Sequence, residues 1–187
     1  RSTRPLVELV ADCVRGGARA VLLREKDLPG DDRAAIARTL REVLVPVGGV
    51  LLGASDPALS PDGVHLAAAD RWPGRRARGL VGRSCHDRTE LRAAAREGCD
   101  YATLSPVFPT ASKPGYGPAL GTDALADAPL PVLALGGVDG PARARACVRA
   151  GAHGVAVMGA VASHADPAAL VADLLDAVHV HDPGDRP

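Results

Sequence analysis

The sequence predicts an α/β chain, a (β/α)8 or TIM barrel whose leading strand is absent from the sequence, and three observations carry that prediction. Short runs rich in Val and Leu recur along the 187 residues. They are too short for helices, and several are apolar on both faces, as strands buried in a parallel sheet are. Ala/Arg/Leu segments of helical period lie between them, and a repeated strand–helix order requires a parallel sheet, open or closed. The third observation favours the closed form: no G-x-G-x-x-G follows the first strand, where an open doubly wound sheet usually carries it.

In chain order, RPLVELVADCVRGG (4–17) reads as a helix, and AVLLR (20–24) as the first visible strand. A barrel of this class opens on a strand, so the leading strand is the one not seen. DDRAAIARTLREVL (31–44) places Ala35, Ile36, Leu40, Val43 and Leu44 on one helical face. GVLLG (49–53), GVHLA (63–67) and GLVGR (79–83) follow as strands. In DRTELRAAAREG (87–98), Asp87 caps a helix, Glu90 three residues on completes a capping box, and Gly98 ends it. CDYATL (99–104), PVLALG (131–136) and HGVAVM (153–158) are the remaining strands, with helices at 140–151 and 166–178. Residues 1–180 read as one domain and 181–187 as a polar tail.

Formal net charge is zero, so no broad field favours nucleic acid or an anionic membrane. No apolar run approaches the roughly 18 residues that a spanning helix needs, and no signal-peptide pattern is present. Cys13, Cys85, Cys99 and Cys147 are scattered without a C-x-x-C pair, which predicts reduced thiols and a cytoplasmic location. A missing strand would leave neighbouring strands with unpaired edges, a condition that suits a homo-oligomer.

In a barrel the catalytic groups sit in the loops after the strands. Those positions hold Arg24, Glu25, Lys26 and Asp27, then Asp70, then Arg83, Ser84 and His86, then Thr110, Ser112 and Lys113. Lys26 and Lys113 are the only lysines among 22 basic residues. A compact ammonium suits a point contact to phosphate oxygens, where arginine suits a planar fork. Lys113 lies in SPVFPTASKPGYGP (105–118), which also holds the single phenylalanine, Phe108, and too many prolines for a helix or central strand. Gly136-Gly137 and Met158-Gly159 follow the last two strands, where backbone N–H groups can approach an oxyanion at the start of a helix.

REK (24–26), DGVHL (62–66), GRSCH (82–86), CDYATLSPVFPTASK (99–113), PVLALGGV (131–138) and GAHGVAVMGAV (151–161) together resemble the thiamine-phosphate synthase family with its TenI-like relatives. The resemblance spans nearly the whole chain and implies a (β/α)8 barrel. It implies a reaction in which hydroxymethylpyrimidine diphosphate loses pyrophosphate and a thiazole phosphate nitrogen captures the resulting carbon, giving thiamine phosphate. The partners implied are small phosphorylated heterocycles. By the same resemblance Arg24 and Lys26 grip the pyrophosphate, and Ser84 and Lys113 contact it as it leaves. Asp70 and, less directly, Asp56 hold Mg2+. Thr110 and Ser112, with backbone around Gly136, Gly137, Met158 and Gly159, hold the thiazole phosphate. Several positions depart from the family pattern. Leu22 replaces a glutamine, Ser55 and Asp56 stand where an Asn-Asp pair is usual, and Ala67-Ala68 replaces Gly-Gln. Related thiazole tautomerases also lack much of the metal half, but they carry a catalytic histidine where this chain has Pro106. A thiazole tautomerase and a non-catalytic regulator that binds thiazole phosphate or thiamine phosphate are the alternatives.

Overall fold

The computed structural model describes residues 4–72, 78–110 and 118–179. Within them, seven strands form one sheet in sequential order, and every adjacent pair is parallel. They are β1 (Ala20–Leu23), β2 (Val50–Ala54), β3 (Gly63–Leu66), β4 (Leu80–Cys85), β5 (Tyr101–Leu104), β6 (Val132–Leu135) and β7 (Gly154–Ala156). The helices are α1 (Leu6–Arg15), α2 (Gly30–Leu44), α3 (Arg88–Glu97), α4 (Pro141–Arg149), α5 (Gly159–Ser163) and α6 (Pro167–His179).

The alternation of the strands sorts side chains between two faces. Leu23 and Leu51 pack outward with Val10, Val14, Ala37, Leu40 and Leu44 of α1 and α2. Ala102, Leu104, Val132 and Ala134 pack outward with Leu91, Ala94, Ala144, Cys147 and Leu174 of α3, α4 and α6. The opposite phase of β3, β4 and β5 carries His65, Ser84, Tyr101 and Thr103, which hydrogen-bond to one another.

The predicted helix at 87–98 forms as its signals require. Asp87 accepts the Glu90 N–H at 2.8 Å, and Gly98 closes the helix at φ 85°. The Glu90 carboxylate accepts from the N–H of His86 at 2.6 Å, one residue further back than the cap itself.

The sheet is a curled seven-stranded parallel sheet, a half-barrel. β1 pairs only with β2 and β7 only with β6 among the described residues, so a closed eight-stranded ring is not seen. As the sequence order predicts, no helix separates β2 from β3, and a 3-10 turn at Thr122–Leu125 stands between β5 and β6. The outer layer is nevertheless continuous across the gap in the sheet, because α1 packs against both α2 and α6. Gly16 permits this approach: a Cβ there would overlap the backbone of Ala168 at the start of α6.

Candidate active site at the strand ends

The carboxyl ends of β1, β2 and β3 bring three polar side chains together. Lys26, exposed just past β1, donates to the Ser55 hydroxyl at 3.1 Å. Ser55 follows β2 with φ 58°, in the left-handed region that few residues other than glycine adopt. Its N–H is fixed by the carbonyl of His65 at 2.9 Å. Ser55 in turn donates to the carboxylate of Asp70, which also accepts the Ala67 N–H at 2.7 Å. The Ser55 hydrogen bond holds Asp70 below the usual carboxylate range; the Ala67 N–H and the charges of Lys26 and Arg83 reinforce it against partial burial. Asp70 is therefore an ionised, half-buried carboxylate with a lysine beside it. Arg24 lies exposed next to the same cluster in sequence.

Arg83 explains why Asp70 sits there. It points to the outer side of β4, is 5% exposed, and ion-pairs with Glu97 of α3 at 2.9 Å. Its other terminal nitrogen donates to the carbonyls of Ala67, Ala68 and Asp70 at 3.2, 3.1 and 3.0 Å. One guanidinium thus binds the whole turn that carries the carboxylate, a fork that lysine does not supply. Asp56 has different company: its carboxylate pairs with Arg33 at 3.5 Å and accepts the Ala58 N–H at 3.0 Å. No group of three or more His, Cys, Asp or Glu side chains able to hold a metal occurs among the described residues.

Ser84 lies within β4 rather than after it, half-buried on the inner face. It is 3.0 Å from Nε2 of His65, whose Nδ1 is 2.8 Å from the Tyr101 hydroxyl. Burial, with the charge of Arg83, lowers the His65 pKa to about 4, so the ring is neutral near pH 7.

On the far side of the sheet, Gly136 and Gly137 have φ 92° and 68°. A Cβ on Gly136 would lie 2.8 Å from Pro106 Cα, and one on Gly137 2.7 Å from Phe108 Cβ. The glycines let the turn after β6 lie against the start of the loop after β5, joined by hydrogen bonds from Val107 and Phe108 to Leu135 and Gly136 at 3.0 Å. Arg143 of α4 locks this junction, donating to the Gly137 carbonyl at 2.6 Å and to Asp139 at 2.7 Å, with its guanidinium 5.0 Å from the Phe108 ring centroid. Thr110 is half-buried at the end of this described stretch. Met158, 66% exposed, caps α5, and Gly159 begins it. Ser112 and Lys113 lie outside the described residues, as does the end of the predicted loop at 111–117.

The sequence points to Lys26, Asp70 and Ser84 but not to what connects them. In the sequence Ser55 stands with Asp56 in place of an Asn-Asp pair, and nothing local marks His65 or Tyr101. Their signal was strand phase: His65, Ser84, Tyr101 and Thr103 alternate onto the face opposite the leucines and valines.

A parallel α/β sheet with its ionic cluster and paired glycines at the strand ends defines an enzyme of the class whose sites lie beyond the carboxyl ends of parallel strands. Within that class, the chain belongs to the thiamine monophosphate synthase family, whose model matches residues 1–161. It is 39% identical over 191 residues to the thiamine-phosphate synthase of Roseiflexus castenholzii, covering 92% of this chain and 81% of that one. It is 34% identical over 194 residues to the thiamine-phosphate synthase of Geobacillus kaustophilus, covering 95% and 87%. The solved thiamine phosphate pyrophosphorylase from Pyrococcus furiosus superposes with a TM-score of 0.82 at 26% identity, covering 95% of this chain and 91% of that one.

Proposed function

We infer that this chain is a thiamine-phosphate synthase, a transferase of thiamine biosynthesis. The observation that carries the reading is its identity to proteins of that name along nearly its whole length. The reaction joins hydroxymethylpyrimidine diphosphate to thiazole phosphate. The carbon–oxygen bond to the diphosphate breaks, a bond from that carbon to the thiazole nitrogen forms, and pyrophosphate departs with the electron pair. Negative charge builds on the leaving oxygens, so fixed donors aimed there stabilise the transition state more than the ground state. Arg24, Lys26, Ser84 and Lys113 are the proposed donors to the pyrophosphate. Thr110 and Ser112, with the backbone of Gly136, Gly137, Met158 and Gly159, form the proposed thiazole-phosphate site.

The residues present fit Mg2+ in one form. Asp70 is ionised and accessible, and Mg2+ is commonly held by one or two carboxylates together with substrate phosphates. Asp56, expected as a second ligand, is engaged by Arg33. The proposed holder is therefore Asp70, with the diphosphate supplying further oxygens. Mg2+ bound there would offset charge on those oxygens. Ser55 and the Arg83-bound turn orient the carboxylate, and Lys26 adds a positive charge on the same side.

The complete (β/α)8 barrel belongs to this reading. α1 already bridges α6 and α2 outside the gap between β7 and β1, and one further parallel strand in that gap would close the ring. Residues 1–180 would then form a single domain. Purified protein given both substrates and Mg2+ should release thiamine phosphate and pyrophosphate in equal amounts. No product from competent substrates would overturn the assignment.

A further inference from the structure

We propose that Tyr101 and His65 are positioning residues that fix the hydrogen-bond direction of Ser84, leaving its hydroxyl proton free to donate to a phosphate oxygen of the bound diphosphate. The proposal rests on the role assigned above to Ser84. Its basis is the row of partners on the inner face of β3, β4 and β5. The Tyr101 hydroxyl lies 2.8 Å from Nδ1 of His65, and Nε2 lies 3.0 Å from Ser84 Oγ. Thr103 Oγ1, at 3.5 Å from Nε2, is at the limit of contact.

A neutral imidazole has one N–H and one acceptor nitrogen, and the hydrogen bond at one nitrogen determines the state of the other. Nδ1 is the one acceptor recorded for the Tyr101 O–H among the described residues. Donation from tyrosine to Nδ1 satisfies that half-buried hydroxyl, and it places the ring proton on Nε2. Nε2–H then donates to Ser84 Oγ, occupying a lone pair and leaving the serine proton unused. The opposite tautomer would strand the tyrosine O–H without an acceptor and would draw the serine proton back onto Nε2. Leaving that half-buried donor without its protein acceptor is unfavourable, so the first arrangement prevails. Ser84 is only half-buried, so its free proton faces space that a ligand can enter.

Gly82 makes the row possible. It sits between His65 and Tyr101 in the strand register, and a Cβ there would collide with the tyrosine ring. The ring crosses β4 over a residue without a side chain to reach the histidine on β3.

Nitrogen-15 NMR of the imidazoles and a mutant cycle test the proposal together. His65 should appear as the Nε2–H tautomer. Ser84→Ala should lower kcat by about 10-fold or more, the loss of one transition-state donor. Tyr101→Phe keeps the ring and removes only the hydroxyl; it should lower kcat by about 3- to 10-fold, the effect of one misdirected hydrogen bond, with little change in KM. The double variant should be no slower than Ser84→Ala, because Tyr101 acts through the serine. A merely structural tyrosine would give additive losses. An Nδ1–H tautomer, additive losses, or a wild-type rate in Tyr101→Phe beside an impaired Ser84→Ala would overturn the relay and leave the reaction assignment standing. Full activity in Ser84→Ala would overturn the role of the serine itself, and the use of the relay with it.

Discussion

At the residue scale, Asp70 carries more of the proposed chemistry than any other side chain in the described structure, because its surroundings hold it ionised. Its pKa is lowered, so the carboxylate persists to more acidic pH than an ordinary aspartate, and its charge is lost only as pH falls through that lowered value. Calorimetry should show inorganic phosphate or thiazole phosphate binding without Mg2+, and Mg2+ binding only when diphosphate is present. Asp70→Asn should remove the second event and spare the first. Tight Mg2+ binding to the ligand-free protein would count against a single-carboxylate site. Lys26→Ala should lower turnover by about 10-fold or more if its ammonium meets the leaving group; unchanged turnover would remove it from the mechanism.

His65 gives a second residue-scale prediction, on stability. Its pKa is about 4 in the fold against an ordinary value of 6.5. Between those values the unfolded chain binds a proton that the folded one does not. Stability from this group is therefore complete above about pH 6.5 and falls as pH drops toward 4, by on the order of 3 kcal/mol in all. Urea denaturation across that range should show the loss, and His65→Gln should flatten it. An unchanged slope in the variant would assign the acid sensitivity to other groups.

At the scale of elements, α3 is where sequence and structure agree most closely. Asp87 and Gly98 do what their positions imply, since capping is decided within a few residues and needs no tertiary partner, while Glu90 accepts from His86 rather than from the N–H of the cap itself. Asp87→Ala should cost about 1 kcal/mol, read as a lower urea midpoint with an unchanged slope. β4 was less legible. Its predicted end at 83 falls short of the observed Cys85, so Ser84 is a strand residue. Serine and cysteine carry little strand signal, and the hydrogen bonds to β5 that extend the strand come from a partner distant in sequence. The five-residue helix α5 has no bounds of its own in the sequence reading, which marks only a helix start at Met158-Gly159; so short a helix depends on its packing against α6 and α1.

At the scale of the whole molecule, β1 and β7 are the strands with a single partner among the described residues, and a gap lies between them. Two parallel edges face it, and Leu22 on β1 is 40% exposed beside it while Leu23 is buried against α1 and α2. Unpaired edges invite another strand. Extending the chain before Arg1 by an apolar strand of about five residues should raise the melting temperature, because it would pair both edges and cover Leu22. No rise would mean that the edges are already satisfied in another way.

The sequence by itself determined the parallel α/β class and the family, and it pointed to the strand ends as the place of the proposed site. Each of these is written in local signals: apolar runs of strand length, helix caps, and glycines and lysines at strand ends. Lys26, Asp70 and Ser84 could be proposed as site residues for that reason. The tertiary structure alone decided how they are connected. Ser55 joins Lys26 to Asp70 because β1, β2 and β3 end side by side, and Arg83 fixes the turn of Asp70 only once α3 places Glu97 beside it. Tyr101 reaches His65 because the register sets Gly82 between them. These contacts join residues far apart in the chain, and their geometry follows from strand register and sheet curvature, which no local stretch of sequence encodes.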